Sequence, residues 1–168
     1  VKLKGLFKTV RENYNGYWDD INPFVKYGCI RDGKFYDKVK DILIYKTIYG
    51  EYVTLQDYLN KSEDKHKNQV FYVTDEKQQS QYINLFKEND LDAIIMTSMI
   101  DSHFVPFLEM QENDVKFNRI DSDLSDSLKD LGEGEDEDSK KLQKKLEKVF
   151  KDALEKEKLK IQVENLKA

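Results

Sequence analysis

Two histidines, one cysteine and a surplus of carboxylates are the side chains in this sequence with catalytic potential. Metal capture needs imidazoles, thiolates or carboxylates at a fixed spacing. His66 stands in a Lys-rich polar loop and His103 at a helix start, and neither has a partner at such a spacing. Cys29 with a distant histidine is a formal nucleophile pair, but a lone thiol is more often a small buried hydrophobe. No G-x-S-x-G elbow is present. The 33 acids are so widespread that a carboxylate pair carries no meaning without geometry. Five acids crowd between Glu133 and Asp138, yet without the loop spacing of a calcium hand. These residues do not assemble a complete hydrolase.

Phosphate binding is the remaining chemistry to test, at QVFYVTDEKQQ (Gln69 to Gln79), where a β-forming run meets a polar turn. A phosphate-cradling loop at a strand end needs glycines, so that backbone N–H groups can approach the anion. Thr74-Asp75-Glu76-Lys77 has none and carries two acids. The turn is therefore expected to start a helix, with Thr74 or Asp75 as N-cap and acids opposing the positive end of the helix dipole.

The elements around these residues follow from periodicity. Tyr17, Ile21, Phe24 and Val25, with Trp18 beside them, predict a helix whose aromatic residues pack as core. A second helix is expected over Asp37 to Ile44, and Thr54 is expected to cap a short helix at LQDYL. Val70 to Val73, the stripe Tyr82, Leu85 and Phe86, and Ala93 to Met96 spell a β-α-β unit with parallel strands. A helix from His103 to about Met110 follows, capped by Asp101 or Ser102, with Pro106 in its first turn. VKFNRI, Val115 to Ile120, alternates as an edge strand does. After Ile120 the composition turns to Asp, Ser and Gly, and the like-charged block reads as a linker. Beyond it, Leu142, Leu146, Val149, Phe150, Ala153 and Leu154 mark an amphipathic helix, and Leu159 to Val163 a strand.

The net charge of -5 and the interleaving of lysines with acids argue against nucleic acid as a partner. One cysteine allows no intramolecular disulfide and points to a reducing compartment. No apolar run is long enough to cross a bilayer, so no membrane association and a cytoplasmic location are expected. The chain starts at Val1 in what looks like helix interior and reads as a fragment of a larger protein.

The ordered set YWDDINPFVKYGCIRD, YVTLQDYL, QVFYVT, LDAIIM and MIDSHFVPFL followed by VKF resembles the later middle domain of the ninety-kilodalton heat-shock chaperones, in particular their bacterial branch. The resemblance covers roughly residues 1 to 122. It departs where Asp75-Glu76-Lys77 replaces a Gly-Glu-Ser-like turn, and where Ser102-His103 replaces an acid and an aromatic residue. It implies an α/β fold, α+β overall: a helical connector over residues 1–50 and a small three-layer α/β/α subdomain over 51–122. An acidic linker over 123–140 and the first helix and strand of a dimerisation domain over 141–168 would follow.

The resemblance further implies an ATP-dependent chaperone as parent, a homodimer using ATP and magnesium. The fragment itself would hold no cofactor and no catalytic residue, and would be a monomer or weak dimer. Its partners would be partly unfolded client proteins, met at Ser102, His103, Phe104, Phe107 and Met110. A purely structural connector without client contact is the neighbouring reading. A stand-alone α/β enzyme or ligand-binding module, with Asp75 and Thr97 at the strand ends, is the reading from another class.

Overall fold

The computed structural model describes residues 2–122 and, beyond them, Lys148 alone. The linker, the Leu142 to Leu154 face and the Leu159 to Val163 strand lie outside the described residues. Residues 1–120 group as one compact unit. Its main apolar cluster joins Tyr14, Trp18 and Cys29 from the first fifty residues to Val70, Ile94 and Phe104, so packing is continuous across residue 50.

Helices α1 (Lys2–Thr9) and α2 (Arg11–Arg31) open the chain. Helix α2 contains Pro23, whose missing N–H leaves the Asp19 carbonyl without its usual donor. The Asn22 amide takes that place, donating to the carbonyls of Asp19 at 3.1 Å and Trp18 at 3.0 Å. The buried stripe of α2 is Tyr14, Trp18, Val25 and Cys29, with Lys26 beside it. Tyr17 and Phe24, expected in the core, are 57% and 78% exposed. The apolar periodicity of α2 thus spreads over two faces, only one of which is covered.

Asp32 ends α2 and caps α3 (Gly33–Val39), accepting from the Lys34 N–H at 3.0 Å. Gly28 allows the two helices to approach, since a Cβ there would meet the Phe35 ring at 2.9 Å. The expected helix over Asp37 to Ile44 is displaced. After a 3-10 turn at Lys40–Ile42, the apolar run Ile42 to Tyr45 enters strand β1 (Ile44–Lys46). This strand pairs antiparallel with β2 (Tyr52–Thr54), around a turn where Gly50 takes φ +80°. At three residues each, the strands of this hairpin are too short to show a period.

Thr54 is the cap expected of it. Its hydroxyl accepts from Asp57 N–H at 3.2 Å, and the Asp57 carboxylate accepts from Thr54 N–H at 3.4 Å, a closed capping box at the start of α4 (Leu55–Lys61). The short helix α5 (Glu63–His66) leads into β3 (Gln69–Val73).

Then come α6 (Ser80–Glu88), β4 (Ile94–Ile95), α7 (Asp101–Gln111) and β5 (Lys116–Arg119). The sheet order is β4-β3-β5, and both pairings are parallel. The step from β3 to β4 runs one way across the sheet and the step from β4 to β5 runs back past β3. Right-handed crossovers therefore set α6 and α7 on opposite faces. The pleat of β3 agrees: Phe71 meets Phe86 of α6 edge-on at 5.1 Å, while Val70 joins the cluster with Phe104, Val105 and Leu108 of α7. Three layers result, with β5 at one edge as its alternation predicts.

At the other edge the hairpin continues the sheet. Thr47 bridges Ile94 antiparallel, and the Ile48 N–H donates to the Ala93 carbonyl at 2.9 Å. Replacing Thr54 with Ala removes the capping box at the join of hairpin and sheet. The expected loss is about 1 kcal/mol of stability, read from urea midpoints at unchanged m-value.

Candidate functional site

Where consecutive crossovers leave for opposite faces, the loops part and open a crevice at the carboxyl ends of the strands. Here that point lies between the loops after β3 and β4, near Asp75 and Thr97. The first loop is closed on itself. The buried Gln79 amide oxygen accepts from the N–H groups of Thr74 at 2.9 Å and Asp75 at 3.1 Å. The Asp75 carboxylate accepts from Lys77 and Gln78 N–H, both at 3.0 Å. Asp75 thus caps a turn ahead of the helix rather than α6 itself, which starts only at Ser80 with no side-chain cap. Backbone donors that could meet a phosphate are occupied by the loop's own side chains.

The second loop carries the more unusual arrangement. Asp101, 3% exposed, directs one carboxylate oxygen to Lys26 Nζ of α2 at 2.5 Å. Its other oxygen accepts from the N–H of Ser98 at 3.1 Å and the hydroxyl of Ser98 at 2.8 Å. Asp101 is therefore the first residue of α7 reaching back over the preceding turn, rather than an N-cap. With α7 starting there, Pro106 falls in the second turn; it is exposed, so the carbonyl it leaves without a donor, that of Ser102, lies on the solvent side of the helix.

Between α2 and this loop lies an open apolar groove of about 720 Å³. Pro23, Phe24 and Tyr27 form one wall, and Ser98, Met99, Ile100 and His103 form the other. Met99 is 93% exposed and Phe24 78%. Large apolar side chains this exposed, facing one groove from two elements, mark a surface suited to binding.

The five residues expected on a binding surface separate here. His103 is exposed and lines the groove. Ser102 is exposed, its hydroxyl donating to the Met99 carbonyl at 2.8 Å. Phe104 is fully buried, with its ring stacked on Phe107 at 5.7 Å, and leaves the set because no partner can reach it. Phe107 is half-buried and meets Tyr36 edge-on at 5.2 Å. Met110 is 73% exposed but does not line the groove. Phe24, Tyr27, Met99 and Ile100 were not anticipated. Their signal was available in part, since Phe24 and Tyr27 fall outside the stripe that Trp18, Val25 and Cys29 define.

The remaining candidate nucleophile and base are shut away. Cys29 is fully buried, and burial pushes its thiol up to about 11. His66, expected in a polar loop, is buried, with its ring against Phe71 at 4.9 Å and Nδ1 3.0 Å from the Gln69 carbonyl. A carbonyl only accepts, so Nδ1 carries the proton and Nε2 keeps a lone pair, the one buried side-chain polar atom without a partner among the described residues. His66 lines a cavity of about 300 Å³ with Tyr49, Glu51, Lys61, Lys65 and Asp92, and the Lys65 ammonium donates to the Asp90 carbonyl at its rim.

A model of the Hsp90 protein family matches residues 2–167. The chain belongs to the Hsp90 family. Among Hsp90 relatives, it is 29% identical over 132 residues to the chaperone protein HtpG of Bacteroides fragilis, covering 76% of this chain and 19% of that protein. It is 31% identical over 170 residues to HtpG of Treponema denticola, covering 92% of this chain and 25% of that protein. The chain spans a quarter or less of the length of these relatives. The middle domain of a Plasmodium falciparum heat shock protein shares the fold, with a TM-score of 0.57 at 15% identity over 70% of this chain and 51% of that one. The described residues thus have the α/β fold of the Hsp90 middle domain. No helix among them is long and apolar enough to cross a membrane.

His66 provides a pH test of this Hsp90 fold. Burial holds its imidazole down to about 4, against 6.5 for a free side chain. Between those values the unfolded chain binds a proton that the folded one excludes, so stability falls as pH is lowered through that window. From pH 7 to pH 5 the native chain should lose about 2 kcal/mol more than His66→Phe, measured by urea unfolding at both pH values.

Proposed function

We propose that this chain is the part of an Hsp90-type chaperone's middle domain that holds partly unfolded client proteins in the groove between α2 and the start of α7. In the parent it would pass the motion of the nucleotide cycle towards the dimerisation domain. The observation that carries the reading is the pairing of Phe24 and Met99, 78% and 93% exposed, across one apolar groove. A non-native chain presents apolar side chains that its own core no longer covers, and an open groove accepts them without demanding one sequence. Met99 adds a flexible, polarizable side chain able to fit varied partners.

ATP and magnesium would act in a part of the parent outside this chain, and the homodimer is likewise proposed for the parent. This assignment is supported by the Thr74 to Gln79 turn, whose donors are engaged internally. One observation favours a connector role without client contact. Helix α2 runs unbroken through Pro23, with Asn22 replacing the lost donor, as suits a rigid strut.

The two readings separate in one experiment. Binding of fluorescein-labelled, reduced and carboxymethylated α-lactalbumin to the 168-residue chain would be followed by anisotropy. The double variant Phe24→Ser, Met99→Ser is expected to raise Kd at least about tenfold, since burying one such side chain contributes about 1.5–3 kcal/mol. Both side chains are exposed, so the circular dichroism spectrum and urea midpoint should stay unchanged. Undiminished binding would remove the client role from this groove and leave the connector.

A further inference from the structure

The groove has two walls from distant parts of the chain, and Phe24, Tyr27 and Met99, which line it, are too exposed to hold each other in place. Phe24 and Tyr27 belong to α2, and Met99 and Ile100 to the loop before α7. What joins the walls lies beneath them. Lys26, between Phe24 and Tyr27 in sequence, is 4% exposed and reaches Asp101 at 2.5 Å. The same carboxylate takes both the N–H and the hydroxyl of Ser98, which closes the turn carrying Met99 and Ile100. One side chain thus receives three donors from the two walls.

We propose that the Lys26–Asp101 ion pair is the positioning clamp of the client groove, setting the separation and register of its walls; the proposal rests on the client-binding reading above. An apolar pair could pack α2 against α7 without the cost of stripping water from two ions. It would not index one wall to the other. A charge-assisted hydrogen bond has a fixed length and direction, so it settles where Phe24 stands relative to Met99. Lys26 is held in turn from the side, its ammonium 5.6 Å from the centre of the Phe104 ring. Phe104, withdrawn from the proposed binding surface by burial, thus packs against the clamp.

The test uses the 168-residue chain and the same labelled, carboxymethylated α-lactalbumin. Lys26→Met removes the charge, keeps most of the stem and leaves Asp101 bonded to Ser98. Its Kd is expected to rise about tenfold under conditions where circular dichroism shows it folded, and Lys26→Arg is expected to return within about twofold of the native value. Wall geometry is read independently by spin labels at Tyr27→Cys and His103→Cys. The distance distribution should be narrow with Lys26 or Arg and broadened or displaced with Met. Should Lys26→Met fail to fold, Lys26→Gln replaces it, neutral but able to donate one hydrogen bond, with the same expected weakening.

A folded neutral variant that binds as tightly as the native chain overturns the clamp. So does weakened binding with an unchanged label distance, or weakened binding that Arg does not restore. Failure of the underlying reading looks different: Phe24→Ser, Met99→Ser would then leave binding intact whatever position 26 does.

Discussion

A buried ammonium and a buried carboxylate each lose several kcal/mol of hydration, and only a close partner offsets that loss. Lys26 and Asp101 meet this condition with α2 against the start of α7 and the Ser98 turn wound back over the carboxylate. The placement of α7 then governs the rest of the unit. Its Phe104, Val105 and Leu108 cover the face of β3 that Val70 shares with Ile94 and Phe117. Its end is tied to α3 where the Tyr36 hydroxyl donates to Glu112 at 2.6 Å. The helical segment and the sheet are parts of one packing problem, since the polar contact that joins them also fixes the helix on which the sheet's core depends.

The same arrangement explains why α2 carries aromatic residues on two sides. A 21-residue helix packed against a small domain along one stripe leaves the opposite stripe in water. There polar side chains would be the usual occupants, yet Tyr17, Phe24 and Tyr27 stand on it. Apolar rings left in water contribute little to the isolated unit, and that exposure is what supports the proposed contact with a client.

Much of this was legible in the sequence, for reasons that can be named. The parallel sheet declared itself through a run of four β-formers, a helical stripe and a second apolar run. The Thr54 cap was visible because a capping residue acts on its immediate neighbours. Elements decided by distant contacts were not legible. Ile44 and Tyr45, at the end of an apolar run with helical and extended readings alike, entered a strand because Tyr52 to Thr54 lay available to pair with them. His66 has polar neighbours in sequence but Phe71 and Tyr58 as neighbours in space. At the proposed binding surface, the resemblance grouped Phe104 with His103, although the helix turns one into the core and the other to solvent. The groove itself could not be foreseen, because its walls are seventy-odd residues apart and meet through the ion pair whose members stand |i−j| = 75 apart.

The bridge from Thr47 to Ile94, with the bond from Ile48 to Ala93, would bear on how the domain met a client in the proposed role. A two-residue strand at a sheet margin would ordinarily present its backbone as a template, inviting any extended polypeptide to zip on as a further strand. Here the hairpin already occupies that margin. Under the proposed function, a non-native chain reaching β4 would find its outer side already bridged by the hairpin, so contact at that strand would pass through side chains. Main-chain zippering accepts nearly every sequence and tends to propagate into aggregates. If the groove holds clients as proposed, it would release a guest once that guest buries its own hydrophobic residues, which would make the folding of the client the signal for its departure.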